Sequence, residues 1–460
     1  MELKPTTKDA YDLFHKGIFT FAEMQMNGMR IDMTYLTKTI EGTYKKIGEI
    51  EKRLSEEKEI QLWKSKYGKR FKYDSNNQLA DIIYKEMGKT ATMFTETGEK
   101  STSAEALIDL DIKWAPLLVE MNKLKKAVST YLLPFQKEQC NGVVHGMFDL
   151  HTTVSYRSSS SMPNMQNIPI RDPYVGKLVR TAIIPHTPDS HIVEHDFSGA
   201  EVTVGHSYHK DTTMEKYLLD KSSDMHRDIA VQCYRLPVAM VNKPIRQSVK
   251  GGFTFSQFYG DWYAACAEKM WKESKNLFLD NGKCLQDHLK EVGFRQLGTL
   301  NKATGRPSPN SFMAHIKDEE DDLWNNRFKG YTAWKNEIYE AYKKNLYVDY
   351  LNGFRLTGYL SKKFVNNYPI QGLSSHCLLW SANEILSWIK KNNMKTKLIG
   401  QVHDSLIASV PKEEYEEYLI KATNVMKKRL FNHFDWLLIP IEAEAEVSPL
   451  GASWADKKAI

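Results

Sequence analysis

Apolar residues recur at spacings of three and four through the first third of the chain, a pattern that predicts helices. Leu36, Ile40, Tyr44, Ile47, Ile50 and Leu54 make one stripe on a long helix that can start at the capping residue Asp32, with charged residues on the other face. Ser75 can cap a second helix through NNQLADIIYKEM, and Ser103 a short one through AEALIDL. In PLLVEMNKLKKAVSTYLL, residues Leu117, Leu118, Met121, Leu124, Val128 and Leu132 form the apolar face, while Lys123, Lys125 and Lys126 crowd the remainder. Such lysines suit a solvated helix face or contact with a duplex phosphate backbone.

From about residue 144 the texture changes to short β-like runs with Ser and Pro clusters, and then to an apolar strand, SHIVEHDFS. Helical patterning returns from 212 to 345, rich in Lys, Trp and Tyr. Two more β-like runs, KTKLIGQVH and SLIASVP, read together as a hairpin. The helical region is therefore flanked by strand-bearing stretches; if these form one sheet, it is an insertion emerging from a discontinuous central domain. Polar clusters such as NKATGRPSPNS between Ala264 and Asn310 predict a surface excursion.

Composition adds limits. With 460 residues, 42% hydrophobic and 26% charged, the chain has the makings of about two to four packed domains rather than disorder. A formal net charge of +6 leans toward an anionic partner. The five cysteines lie far apart without CxxC spacing, which argues against structural zinc and a disulfide framework. Neither a signal-like segment nor an apolar run of membrane-spanning length is present. The expectation is a soluble protein of a reducing cytoplasm, with no membrane partner.

Two aspartates sit where apolar strands make them costly: Asp196 follows HIVEH, and Asp404 lies where the hairpin should turn. An ionised carboxylate beside a core strand needs pairing or a metal to offset lost hydration. Taken singly, each suits a turn or a cap. On neighbouring strand ends they would supply hard oxygen ligands to a pair of Mg2+ ions, the arrangement that activates a 3′-hydroxyl and stabilises leaving pyrophosphate. Arg246 and Lys250, four residues apart, share a helix face, and IRQSVKGGFTFSQFYG runs on into glycines and aromatics. A cationic face fit for a triphosphate thus adjoins a flat one on which a base can stack. Glycine in a helix interior costs about 1 kcal/mol relative to alanine, so Gly251 and Gly252 mark a helix irregularity or a close approach.

In order along the chain, these stretches resemble the family A DNA polymerases. HDFSGAEVTVGH resembles motif A, implying Asp196 as metal ligand with the backbone carbonyl of Phe197. RQSVKGGFTFSQFYG resembles motif B, the nucleotide-gripping helix, and QVHDSLI motif C, with His403 and Asp404. NNYPIQGLSSH resembles the segment that places Asn367 and Gln371 near the primer terminus and template. YRSSSSMPNMQNIPIR resembles the primer-template segment, implying DNA contacts for Arg157, Asn164, Gln166, Asn167 and Arg171, and DMH implies that His226 faces the incoming phosphates. MQMNGMRID, YDSNNQLADIIYKE, GEKSTSAEALIDL and KLKKAVSTYL resemble the thumb, where Lys123 and Lys126 would meet the duplex.

The resemblance implies an α+β right-hand fold with an antiparallel palm sheet. Its expected limits are a helical thumb at 1–143, palm at 144–211 and 348–460, and helical fingers at 212–347. Expected ligands are primer-template DNA, deoxynucleoside triphosphates and two Mg2+ ions, for which Mn2+ can substitute. Three departures stand out. Tyr259 follows Arg246 by thirteen residues, one more than usual, placing an extra residue near Gly251 and Gly252. Counting back from Tyr259 makes Phe255 the residue stacking on the incoming nucleotide; counting forward from Arg246 selects Thr254, which offers no aromatic face. Ser405 stands where the family commonly has Glu, so a third carboxylate is missing or comes from elsewhere. The match starts at the thumb, with no room for the amino-terminal proofreading domain: either the chain naturally lacks one, with an exonuclease or processivity factor encoded separately, or it is a trimmed form of a longer protein. Phe-Tyr-Gly-Asp-Trp after the glycines resembles phage members, implying host cytoplasm as the location.

The rival readings are a single-subunit RNA polymerase and a non-catalytic DNA-binding accessory protein. Against the first stands Glu201, in the family's ribose-excluding position. Glu201→Ala is expected to raise ribonucleotide incorporation by about tenfold, the scale on which a steric block one group in size discriminates. The check is competitive extension with matched ribo and deoxy substrates, and unchanged discrimination removes this role from Glu201.

Overall fold

The computed structural model describes residues 6–91, 93–95, 98–169, 172–301 and 303–460. Its apolar interior falls into two clusters. The smaller gathers residues between Ile47 and Leu124, among them Trp63, Ile82, Ile83 and Trp114. Two long helices, Met33–Ser55 and Ala115–Ala127, pack along each other and tie it to the larger cluster. Leu36 and Ile40 belong to the larger core, whereas Ile47, Ile50 and Leu54 belong to the smaller. Burying a Leu or Ile side chain contributes about 2 kcal/mol, so one amphipathic stripe stabilises both bodies. Asp32, Ser75 and Ser103 cap their helices as the sequence predicts, each accepting from a backbone N–H three residues on. Tyr44 departs from the expected stripe: it is exposed, and Thr43 holds the buried position.

The expected first unit, residues 1–143, contributes to both clusters. Its opening helix, Thr7–Asn27, packs on the long helix Lys362–Lys391 and on the strand Lys397–Val402. The strand Met29–Ile31 then joins a small antiparallel sheet, paired with Val143–Val144 on one side and Ile183–Ile184 on the other. Between Ala264 and Asn310 the structure is less of an excursion than the polar clusters suggest. The helix Tyr263–Ser274 buries Ala264, Cys266, Ala267 and Met270 and packs on Phe312–Asp322. The polar residues sit in the loops that follow, so sequence average hid a core helix.

The larger core is organised by one five-stranded antiparallel sheet. Its order is Lys397–Val402, Ser405–Pro411, Ser190–Ser198, Glu442–Val447, Lys458–Ala459. The first two strands form the predicted hairpin, and residues 212–347 lie between the central strand and that hairpin in sequence. The strand-bearing stretches on either side of these residues thus share one sheet, and the chain is α+β. Among the described residues no helix is long and apolar enough to cross a membrane.

The central strand is braced by a buried ion pair. Glu194 is 6% exposed; its carboxylate accepts from the Trp454 indole at 2.6 Å and from Lys457, which also reaches Glu446 at 2.6 Å. Burial pushes the Glu194 carboxyl up, but Lys457 and Trp454 outweigh it and hold it below its ordinary value. Removing one partner of such a pair leaves an uncompensated buried charge. Lys457→Met is expected to cost about 3–5 kcal/mol, read from the midpoint of urea unfolding. A loss under 1 kcal/mol, the scale of an exposed pair, would show that Glu194 does not depend on Lys457.

Candidate active site

Strand register creates the site. Asp196 lies directly opposite Ser405, and Val402 pairs with Ser405 across a two-residue turn, His403–Asp404. The Phe197 N–H donates to the Asp404 carbonyl at 3.1 Å, locking the turn against the central strand. His403 adopts φ 52°, in the left-handed region that tight hairpins require at a turn position. Outside glycine this costs about 1–2 kcal/mol, a strain of the kind held at functional sites.

The two carboxylates feel each other. Burial, then Glu194 and Asp404, push the Asp196 carboxyl up to about 6. Burial also raises Asp404, against the opposing charge of Arg157. Ser405 is buried with its hydroxyl donating to the Val402 carbonyl at 2.9 Å, and among the described residues no third His, Cys, Asp or Glu completes a metal-holding group with this pair. Two carboxylates that no cation among the described residues approaches within ion-pair range fit a divalent cation that keeps open positions for water and phosphate oxygens, as Mg2+ does.

Arg157, Glu201, Phe255, Tyr259, Asn367, Gln371, His403 and Asp404 line one cleft of about 390 Å3. Glu201 opens the helix Ala200–His209 and accepts from the Tyr259 hydroxyl at 2.5 Å, with the Arg157 guanidinium 3.7 Å away. Burial raises the Glu201 carboxyl, and Tyr259 and Arg157 oppose the shift. Asn367 donates to the Tyr259 carbonyl at 3.0 Å. Asn367 and Gln371 reach the cleft because Gly372, on the same helix, passes against the Ser155 backbone. A Cβ at Gly372 would lie 2.4 Å from the Ser155 carbonyl oxygen, a clash that no rotamer relieves.

The motif around the glycines resolves in an unambiguous way. The helix Lys243–Val249 passes into a π-helical turn, Lys250–Thr254, and returns to α-helix at Phe255–Phe258. A π turn absorbs one extra residue, which is the insertion that the spacing from Arg246 to Tyr259 implies. Both expectations for the glycines hold: they lie in the irregular turn, and a Cβ at Gly252 would meet Met270 at 3.0 Å. Thr254 is fully buried, whereas Phe255 faces the cleft. Lys250 Nζ lies 5.2 Å from the Phe255 ring centroid, and His226 meets that ring edge-on at 5.4 Å. Burial, then Lys250 and Arg246, lower His226 to about 4, leaving it neutral near pH 7. Burial, then Arg246, lowers Lys250. Arg246 itself is held by Asp224 at 2.6 Å.

Other expected contacts lie apart from the cleft lining. The Asn164 side chain accepts from the N–H groups of Gln166 and Asn167, Gln166 donates to Ser158, and Asn167 receives the Tyr131 hydroxyl through its carbonyl. That loop is thus held in shape by its own polar side chains. Lys123 is paired with Asp172 at 2.9 Å, and Lys126 is exposed. Arg171 lies outside the described residues. Tyr331 and Phe258 line the cleft without having been singled out; the only sequence signal was the aromatic richness of their region.

The sheet thus presents Asp196 and Asp404 at a strand end, and the helix that carries Arg246 and Lys250 runs on to Phe255 and Tyr259, whose aromatic rings line the adjoining cleft. The chain belongs to DNA polymerase family A, which its residues 41–276 and 321–456 match. It is 25% identical over 454 residues to DNA polymerase I of Bacillus subtilis (strain 168), covering 95% of this chain and 44% of that protein. To the DNA polymerase of Bacillus phage SP01 it is 21% identical over 482 residues, covering 94% and 49%. The chain therefore spans about half the length of these curated relatives. Its fold is similar to that of the POL domain of Pol1 from M. smegmatis, solved in complex with DNA primer-template and dNTP. The TM-score is 0.73 at 20% identity, covering 96% of this chain and 70% of that one.

The raised Asp196 carboxyl generates a test. A folded value near 6 against an ordinary 3.8 stabilises the metal-free fold below pH 3.8, a contribution lost as pH rises through about 6. A cation binding the ionised pair must displace that proton below pH 6. Mg2+ is expected to stabilise the protein at pH 8 by about 2 kcal/mol near saturation, with the effect fading below pH 6. Thermal unfolding with and without the ion measures it; an Mg2+ effect equal at pH 8 and pH 5 separates the ion from Asp196.

Proposed function

We propose that this chain carries out template-directed DNA synthesis by a two-metal mechanism. The primer 3′-oxygen forms a bond to the α-phosphorus of a deoxynucleoside triphosphate, and the bond from that phosphorus to the bridging oxygen breaks, releasing pyrophosphate. The observation that carries this reading is the strand register that sets Asp196 opposite Ser405 and so beside Asp404, which lines the cleft. Both carboxylates, with the Phe197 carbonyl, would hold Mg2+, which supplies charge neutralisation and a lowered hydroxyl pKa.

The other residues bind and orient. Arg246, Lys250 and neutral His226 receive the triphosphate; phosphate oxygens take the place of Asp224 as the partner of Arg246. Phe255 and Tyr259 stack against the incoming base and sugar. Glu201, fixed by Tyr259 and Arg157, fills the space that a 2′-hydroxyl would need. Arg157, Asn367, Gln371 and His403 face the primer terminus and templating base, with Asn164, Gln166, Asn167 and Arg171 along the duplex.

The hand follows from this assignment. The helical body carrying Lys123 and Lys126 is the thumb, the five-stranded sheet the palm, and residues 212–347 the fingers. Membership of the DNA polymerase family and the acid-lined cleft disfavour the RNA polymerase and accessory readings, and the SP01 relative supports a role in phage DNA replication.

Primer extension on a templated DNA hairpin with Mg2+ and four deoxynucleotides tests the proposal. Wild type is expected to extend, and Asp404→Asn to lose about a thousandfold, equivalent to about 4 kcal/mol of transition-state stabilisation. Folded, DNA-binding wild type that extends nothing would return the accessory reading to first place.

A further inference from the structure

A second cavity of about 670 Å3 opens where the small sheet meets the lower edge of the large one. Lys397 starts the hairpin strand on its rim, while Asp404 lies beyond the other end of that strand. Six residues of strand span about 20 Å, so the cavity is separate from the cleft. Its size is within the range of small-ligand pockets.

The lining is cationic. Arg30, from Met29–Ile31, and Lys397 face it with no carboxylate in ion-pair range among the described residues. Lys395 is 3.8 Å from Glu413, so that pair is mutually offset, and Asp189 on the rim is the one further carboxylate of the lining. His186 bonds to the Asn27 carbonyl at 2.9 Å through Nε2, and its buried Nδ1 has no partner. His145 bonds to the Gln25 carbonyl at 2.7 Å. Two carbonyls in the last turn of the opening helix, those of Gln25 and Asn27, which would repel an anion, are thereby occupied. After burial and the Asn27 bond, the charges acting on His186 are those of Lys397, Arg30 and His145, all unfavourable to its protonated form. Such a set is short of one negative ligand. A phosphate group would accept from the Arg30 fork and Lys397 together, in the geometry that guanidinium groups favour.

We propose that this cavity is a binding site for a phosphate group, held by Arg30 and Lys397 beside His186 and separate from the cleft that contains Asp404. The phosphate can belong to a free nucleotide or pyrophosphate, or to a nucleic-acid backbone, and the probes below tell these apart. The site does not depend on the proposed reaction.

The His186 ring resonances, followed by NMR without divalent metal, read the site directly. Inorganic pyrophosphate and a single-stranded oligonucleotide are titrated separately into wild type and into Arg30→Ala/Lys397→Ala. Saturable shifts with pyrophosphate mark a free phosphate ligand, and shifts only with the oligonucleotide mark a backbone phosphate. Either upholds the proposal if the double variant binds about tenfold more weakly, a loss of about 1.4 kcal/mol, while extending primers like wild type. Absence of any shift at millimolar ligand, or equal affinity in the double variant, overturns it.

Discussion

Everything in the site depends on the register between Ser190–Ser198 and Ser405–Pro411. Side chains alternate across a sheet, so a slip of one residue would turn Asp196 to the opposite face and leave Asp404 without its neighbour. The register is fixed on both flanks: Leu406, Ile407 and Ala408 are buried on the hairpin side, and Ala443 and Val447 on the other. The result works against itself electrostatically, since Asp196 and Asp404 raise the cost of each other's ionisation. The sheet tolerates this because Lys457 offsets Glu194 beneath the site and the wider core supplies the stability.

The same logic runs through the helix that faces the cleft. Its extra residue would rotate every later side chain by about 100° in an α-helix. The π turn at Lys250–Thr254 takes up that rotation, so that Phe255 and Tyr259 still face the sheet. Gly252 permits the turn because Met270 packs where a Cβ would stand. One residue of insertion is thus paired with one small side chain and one neighbouring helix, and the helix Tyr263–Ser274 earns a structural role that its polar surroundings concealed.

Polar groups around the cleft are arranged before any substrate arrives. Glu201 is held by Tyr259 and Arg157, Tyr259 by Asn367, and Arg246 by Asp224. These contacts join the central strand region, the inserted helices and the long helix Lys362–Lys391, three parts of the chain that share little local sequence. Apart from the exchange of Asp224 for phosphate oxygens at Arg246, a cleft assembled in this way needs little reorganisation in the proposed reaction, where preformed dipoles and charges are worth more than flexible ones.

The sequence alone determined the elements whose signals are local. Asp32, Ser75 and Ser103 caps, the Ser190–Ser198 strand and the hairpin around Asp404 follow from capping chemistry and periodicity, and ordered motifs carried the family. It also located the extra residue near Gly251 and Gly252, because spacing is a property of the chain. Whether Asp196 and Asp404 are neighbours, which residue after the glycines faces the cleft, and that Tyr259 holds Glu201 were decided only by tertiary structure. So were the burial of Thr43 in place of Tyr44 and the core role of Met270. Periodicity records which face of an element is apolar, whereas register, close approach and the electrostatic effect of one charge on another depend on partners hundreds of residues away, and no local pattern encodes that distance.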